Sequence, residues 1–191
     1  AGVVSLVDQN VVRAIDGEEE AEPRYRMLET VREFAWDRLA ASGEEGAARR
    51  RHAEWCLALV ESTAPDLWRV NQGPALPRLS ADLDNLRAAL AWSIEHEPAM
   101  ALRLAGRLWQ FWFGGFLITE GRGWLDRAIA VAADAAPAAR AEALCALGAI
   151  ALHQYDLPAS TAALDEGLVL ARRLGDRFLL ARTLFHHGDL L

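Results

Sequence analysis

Leu108-Trp-Gln-Phe-Trp-Phe-Gly-Gly-Phe116, set beside Leu147-Gly-Ala-Ile-Ala-Leu-His-Gln-Tyr155, keeps register at an offset of 39 residues. The register extends beyond the quoted stretch. Gly121 falls on Ser160, Leu125 on Leu164, Ala128 on Gly167 and Ile129 on Leu168. At an offset of 40, Leu144 falls on Leu184 and Gly148 on Gly188. Small residues at two interior positions let paired helices approach closely, while Leu and aromatic residues fill the space between them. A recurring helix-pair unit of this length predicts an α-solenoid. The last unit stops after its first helix begins. The chain is therefore expected to be a fragment, with an apolar face around Leu184 and Leu191 expected to dock on a second copy or to stay partly disordered.

Working outward, everything from Leu28 onward reads as helix. Leu28, Val31, Phe34, Ala35 and Leu39 recur at helical spacing, and Ser42-Gly43 ends that helix. A second helix follows Glu44-Glu45 and runs to about Pro65, before a loop at Val70-Asn-Gln-Gly-Pro74. A third puts Leu79, Leu83, Leu86, Leu90 and Ile94 on one face. Five more helical segments are punctuated by Gly114-Gly115, Pro137, Pro158 and Gly175-Asp176. The first 27 residues differ. An apolar helix face (Val3, Val4, Leu6, Val7) stops at Asn10, a β-like run holds Val11, Val12 and Ile15, and Asp16-Gly17 turns the chain toward Arg24-Tyr-Arg-Met27. Helix, strand, turn, strand is the closing half of a winged helix. The expected domains are 1–27 for that remnant, 28–97 for a helical linker and 98–191 for the repeats.

Composition narrows the chemistry. The 191 residues carry a net charge of −7, and 52% are hydrophobic, enough for a packed core and too many for a disordered chain. All 20 cationic residues are Arg. With no Lys, this chain has no phosphate-loop lysine, no Schiff-base lysine and no Ser-x-x-Lys pair. The two cysteines, Cys56 and Cys145, are too few and too far apart for a secreted disulfide scaffold, so a reducing, cytoplasmic setting is expected. No apolar run is long enough to span a bilayer.

Four further stretches carry a family resemblance. Tyr25-Arg-Met-Leu-Glu-Thr-Val-Arg-Glu-Phe-Ala-Trp-Asp-Arg-Leu39 resembles the segment leaving the winged helix in bacterial STAND-class, NB-ARC-type signalling ATPases. Arg50-Arg-His-Ala-Glu-Trp55 and Asp82-Leu-Asp-Asn-Leu-Arg-Ala-Ala-Leu-Ala-Trp92 resemble their helical linker. Leu164-Asp-Glu-Gly-Leu-Val-Leu-Ala-Arg-Arg-Leu-Gly-Asp176 is similar to their tetratricopeptide arm. Many such proteins are actinobacterial transcription regulators of the LuxR-like and antibiotic-regulatory (SARP) kinds. The resemblance implies a mainly α chain: a right-handed solenoid of tetratricopeptide-like helix pairs behind a winged-helix remnant with a short β-hairpin. It implies a sensor arm that answers a partner protein, peptide or small inducer and acts on its own upstream nucleotide-binding domain. ATP or ADP would sit on that domain, with no cofactor in this segment. A stand-alone repeat scaffold with no nucleotide switch is the alternative.

In tetratricopeptide repeats the first helix of each pair lines the concave face. That carry-over selects Arg103, Gly106, Gln110 and Phe113 in one unit, Glu142, Cys145, Ala149 and Leu152 in the next, and Arg182, Phe185 and Asp189 in the third. Arg, Gln, Asp and aromatic residues together suit a peptide or partner helix. The alternative is a solvated groove whose occupant needs later repeats. Around Gly114-Gly115, the residues Trp109, Trp112 and Phe116 suggest an aromatic-walled pocket, with packing of the linker against the first repeat as the plainer reading.

Direct nucleic-acid binding is not expected. The hairpin tip carries Asp16, Glu18, Glu19, Glu20 and Glu22, where a phosphate-gripping wing would be basic. Arg49-Arg50-Arg51 follows Glu44-Glu45 on one helix and reads as a solvated face with i,i+4 pairs. His52, His96, His153, His186 and His187 have no metal-ligand spacing. Cys56 and Cys145 lack a suitably spaced His or basic residue and read as buried thiols. Asp82 and Asp84 do not share a helix face, Asp84 or Ser80 reads as helix-start chemistry, and no catalytic motif is present, so this segment is not expected to be an enzyme.

Overall fold

Helix ends in this chain are set by proline, aspartate and left-handed residues. The computed structural model describes residues 2–15, 24–68 and 74–190. Among them the chain is mainly α, with one short antiparallel hairpin. It divides into a first unit up to Ala48 and a second from Arg49. The acidic tip at Asp16–Glu22, most of the loop after Trp68, and Leu191 lie outside the described residues.

In the first unit, α1 (Val3–Asp8) ends in a left-handed Asn10, with Val11 N–H donating to Leu6 O and Asn10 N–H to Val7 O. That pair of bonds is the Schellman closure. Strands β1 (Val12–Ile15) and β2 (Arg24–Met27) pair antiparallel, Val12 opposite Met27 and Ile15 opposite Arg24. Helix α2 (Glu29–Ser42) stops at left-handed Gly43 and has no buried residue. The division between units falls within α3 (Glu45–Thr63).

The second unit continues through a 3-10 turn (Ala64–Trp68), α4 (Ala75–Ala81), α5 (Leu83–His96), α6 (Pro98–Arg107), α7 (Trp109–Gly114), α8 (Ile118–Val131), α9 (Pro137–His153), α10 (Leu157–Leu174) and α11 (Arg177–Gly188). The expected single helix across Leu79–Ile94 is two. It breaks at Asp82, whose side chain accepts from Asn85 and starts no cap, while Asp84 pairs with Arg87. The Pro98–Gly114 stretch is also two helices, with hydrogen bonding carried through Leu108. Pro98 and Pro137 sit in first turns, where the missing N–H costs nothing. Asp156 and Asp176 cap α10 and α11 by accepting from Ala159 N–H and Leu179 N–H.

The 39-residue register is visible in the backbone. Helix α7 closes with Leu117 N–H on Trp112 O and Phe116 N–H on Phe113 O; α9 closes with Asp156 N–H on Ala151 O and Tyr155 N–H on Leu152 O. In both closures an aromatic, Phe116 (φ 57°) or Tyr155 (φ 60°), holds the left-handed position that glycine usually takes. Neither Gly114 nor Gly115 does so. At Gly115 a Cβ would stand 3.0 Å from Phe111 O, a tight contact with the carbonyl one turn back.

Helix α9 is the centre of the packing, touching α6, α7, α8, α10 and α11. Its buried face is Ala141, Ala143, Leu144, Cys145, Ala146, Gly148, Ala149, Ile150 and Ala151. Gly148 lies under Leu164 of α10, and the Ser160 hydroxyl donates to Gly148 O at 2.9 Å. In the preceding unit Gly121 of α8 lies under the ring of Trp112. The Arg87 guanidinium spans from α5 to α8 as a two-pronged bridge to Glu120, both bonds 2.8 Å, and holds that carboxyl below its ordinary range. No described helix is long and apolar enough to cross a membrane.

Candidate functional site

The second unit brings the exposed aromatic residues Trp68, Phe113, Phe178 and Phe185 and several arginines onto one face, built from the 3-10 turn, α6, α7, α9 and α11. Three adjoining cavities of about 300, 420 and 500 Å³ open there, and Arg182 and Phe178 line all three. Arg182 comes from the middle of α11. Its side chain is only 8% exposed.

The contacts of Arg182 cross the whole face. Its Nε–H donates to Cys145 Sγ at 3.3 Å, its Nη1 lies 3.9 Å from Glu142 Oε1, and the Trp68 indole covers its guanidinium with 5.6 Å to the ring centroid. Its Nη2 is buried with no hydrogen-bond partner among the described residues. Glu142 is shared, because Arg107 Nε–H donates to its other oxygen at 3.1 Å. Arg103 is engaged at the edge of the face by Glu61 at 2.5 Å.

The aromatic residues meet edge to face. Trp68 contacts Trp109 (5.4 Å between ring centroids) and Phe178 (6.2 Å); Trp109 contacts His186 (5.5 Å), Phe185 contacts His186 (5.3 Å), and Phe113 contacts His153 (4.5 Å). Burial holds the His186 imidazole below its ordinary pKa, and the Arg182 charge adds to this, outweighing Asp189. Its Nδ1 is buried and unpartnered among the described residues. His153 Nδ1 bonds Ala149 O at 2.7 Å, leaving Nε2 for other partners.

Of the residues assigned to the groove, Arg103, Gly106, Gln110, Phe113, Glu142, Arg182 and Phe185 line these cavities, and Cys145 lies behind them bonded to Arg182. Leu152 and Asp189 line none of the three; His153, one position on from Leu152, does. The pocket expected from Trp109, Trp112 and Phe116 is corrected. Trp112 is wholly buried against Gly121, and Phe116, held in the left-handed turn, is 92% exposed. Only Trp109 reaches the face.

The sequence reading missed Trp68 and Phe178. Phe178 had a signal, because it stands one helical turn before Arg182 on the same stripe of α11. Trp68 had none, since only folding brings the 3-10 turn against α7. The statement that neither cysteine has a basic partner is also corrected. His52, one turn back on α3, puts Nε2 3.8 Å from Cys56 Sγ, and α11 brings Arg182 to Cys145. Cys56 is nonetheless inert, its thiol pushed up to about 12 by burial and then by Asp82.

Elsewhere, Arg50 pairs with Glu54 at i,i+4 and with Glu97. Leu184 is 46% exposed. No group of three or more His, Cys, Asp or Glu residues comes together to hold a metal among the described residues.

The chain is 35% identical over 188 residues to "Putative HTH-type transcriptional regulator Rv0890c" and to its counterpart MT0914, both of Mycobacterium tuberculosis. It is equally similar to Mb0914c of Mycobacterium bovis, which carries the same description. Each match takes in 94% of this chain and 21% of the relative, so the chain spans about a fifth of the length of these proteins. No family model matches the chain, and no solved structure matches it.

Proposed function

We propose that this chain is the regulatory arm of a bacterial transcriptional regulator of the STAND type, and that its helical face takes up a partner or inducer to control an upstream ATPase switch. The observation that carries this reading is the extent of the match: nearly all of this chain, against one fifth of proteins described as HTH-type transcriptional regulators. A match of that size supports an arm of a larger machine. The Arg182 face supports binding as its task, because a buried guanidinium with an unpartnered N–H lies beneath exposed aromatic rings.

The mechanism is a shift between two states. An occupant that binds the open arm better than the closed one moves the equilibrium by its differential affinity, and an occupant without such a difference moves nothing. The arm itself performs no catalytic step in this proposal. Nucleotide belongs to the upstream domain, and the whole works in the cytoplasm.

The test uses the full-length gene product beside a version deleted from Leu28 onward. ATP binding and promoter occupancy are measured for both. Deletion should raise basal occupancy and abolish the response to inducer. A full-length product that binds no nucleotide and whose promoter occupancy ignores the deletion refutes the switch and leaves a repeat scaffold.

A further inference from the structure

The three cavities differ in charge. The 500 Å³ cavity is lined by Arg103, Arg107 and Arg182 against Glu61, Glu142 and Asp176, so its charges balance. The 420 Å³ cavity is lined by Trp68, Trp109, Phe113, Phe178, Phe185 and Arg182, with Gln110, Ala181 and the imidazoles of His153 and His186; Arg182 is its one arginine and no carboxylate lines it among the described residues, and His186 is held toward its neutral form. Glu142 does not neutralise Arg182 fully. It is 3.9 Å away and already accepts a shorter bond from Arg107. Five aromatic side chains therefore share one cavity with a guanidinium whose Nη2 has no hydrogen-bond partner among the described residues.

From this geometry we propose that the 420 Å³ cavity binds a small planar aromatic acid, its ring against the Trp68, Trp109 and Phe178 walls and its carboxylate on Arg182. The volume suits one or two fused rings and lies at the lower end of small-molecule sites. A guanidinium pairs with a carboxylate through two parallel N–H bonds, and the pair is strongest where water is excluded. The Trp68 indole, 44% exposed and 5.6 Å from the guanidinium, is the wall that the ligand ring meets beside its carboxylate. A peptide helix would also be served by aromatic anchors, but a single charge at the base of a half-closed cavity matches one carboxylate better than an extended acidic face. The inference rests on the regulatory reading for its biological purpose; the binding site itself is independent of it.

The test is calorimetric titration of this chain with 2-naphthoate and, separately, with 2-naphthamide, which keeps the ring and removes the charge. Naphthoate should bind at least about tenfold more tightly, which corresponds to about 1.4 kcal/mol. Arg182→Gln should remove that preference and retain binding of the amide. Phe178→Ala, at a position 68% exposed and so safe for folding, should weaken both ligands. Arg172→Gln, exposed on α10 and away from this face, should change neither. Equal affinity for acid and amide, no binding of either, or stronger binding of an acidic amphipathic peptide than of naphthoate overturns the proposal. Naphthoate bound with the expected preference keeps the site whatever its effect on promoter occupancy, because the switch stands or falls on the deletion experiment.

Discussion

Two glycines in α8, two residues apart, should respond to the same substitution with opposite signs. An alanine Cβ at Gly121 would stand 2.4 Å from Trp112 Cγ and 2.6 Å from Trp112 Cβ, while at Gly123 it would meet nothing within 4 Å. Alanine in a helix gains about 1 kcal/mol over glycine at either place. At Gly123 nothing opposes that gain. At Gly121 the clash is with the root of a wholly buried indole, which cannot swing away as the tip of a flexible chain would. Overpacking of that kind costs about 3 kcal/mol, the upper part of its usual range. Gly123→Ala should therefore stabilise by about 1 kcal/mol and Gly121→Ala should destabilise by about 2 kcal/mol. At roughly 3 °C per kcal/mol for a domain of this size, Tm moves up by about 3 °C and down by about 6 °C. Thermal melts followed by circular dichroism, with urea midpoints as a second measure, read both. If the two variants shift together in either direction, the close approach of α8 to Trp112 is not what makes Gly121 a glycine.

Three other expectations follow from features already described. Phe116→Gly and Tyr155→Gly should each raise stability by about 0.5–1 kcal/mol, since a left-handed non-glycine costs about 1–2 kcal/mol and glycine returns part of that as chain entropy; a fall in Tm would mean that the exposed rings hold a contact. His186 has its folded pKa depressed by burial, so the unfolded chain takes up a proton first and stability declines as pH drops below about 6.5, levelling beneath the folded value. His186→Leu should remove that component, and urea midpoints running parallel to the parent's from about pH 7.5 to pH 5 would count against it. With its pKa near 12, Cys56 holds about one part in ten thousand as thiolate at pH 8. Peptide mapping after iodoacetamide should find Cys56 labelled only in denaturant, and ready labelling of the native chain would place it nearer the surface.

The helical repeats were legible because their signal is periodic. Leu125 and Leu164 are buried in equivalent helices, and the pairing of Phe116 with Tyr155 proved to be an equivalence of backbone turn as well as of ring. Boundaries set by single residues were less legible. Asp82 interrupts a hydrophobic stripe that runs through it unbroken, so the stripe alone suggested one helix. The face around Arg182 was half legible. Residues on the first helices of the units follow from register, whereas Trp68 arrives from a 3-10 turn through packing that no local spacing records. The direction of Phe116 was misread because glycines beside an aromatic suggested that the glycines make the turn; the backbone bends at the aromatic itself.

Helix α9 has a consequence for how the arm can deform. Helices with large side chains lock together as ridges in grooves and resist displacement along their axes. The face that α9 turns to its five neighbours is mostly alanine and glycine, a surface of low relief. Such a surface lets adjacent helices slide by small increments while contact is kept, which is shear and not hinge motion. Glu142 of α9, held by Arg107 of α6 on one oxygen and facing Arg182 of α11 with the other, is the contact that would limit any such sliding.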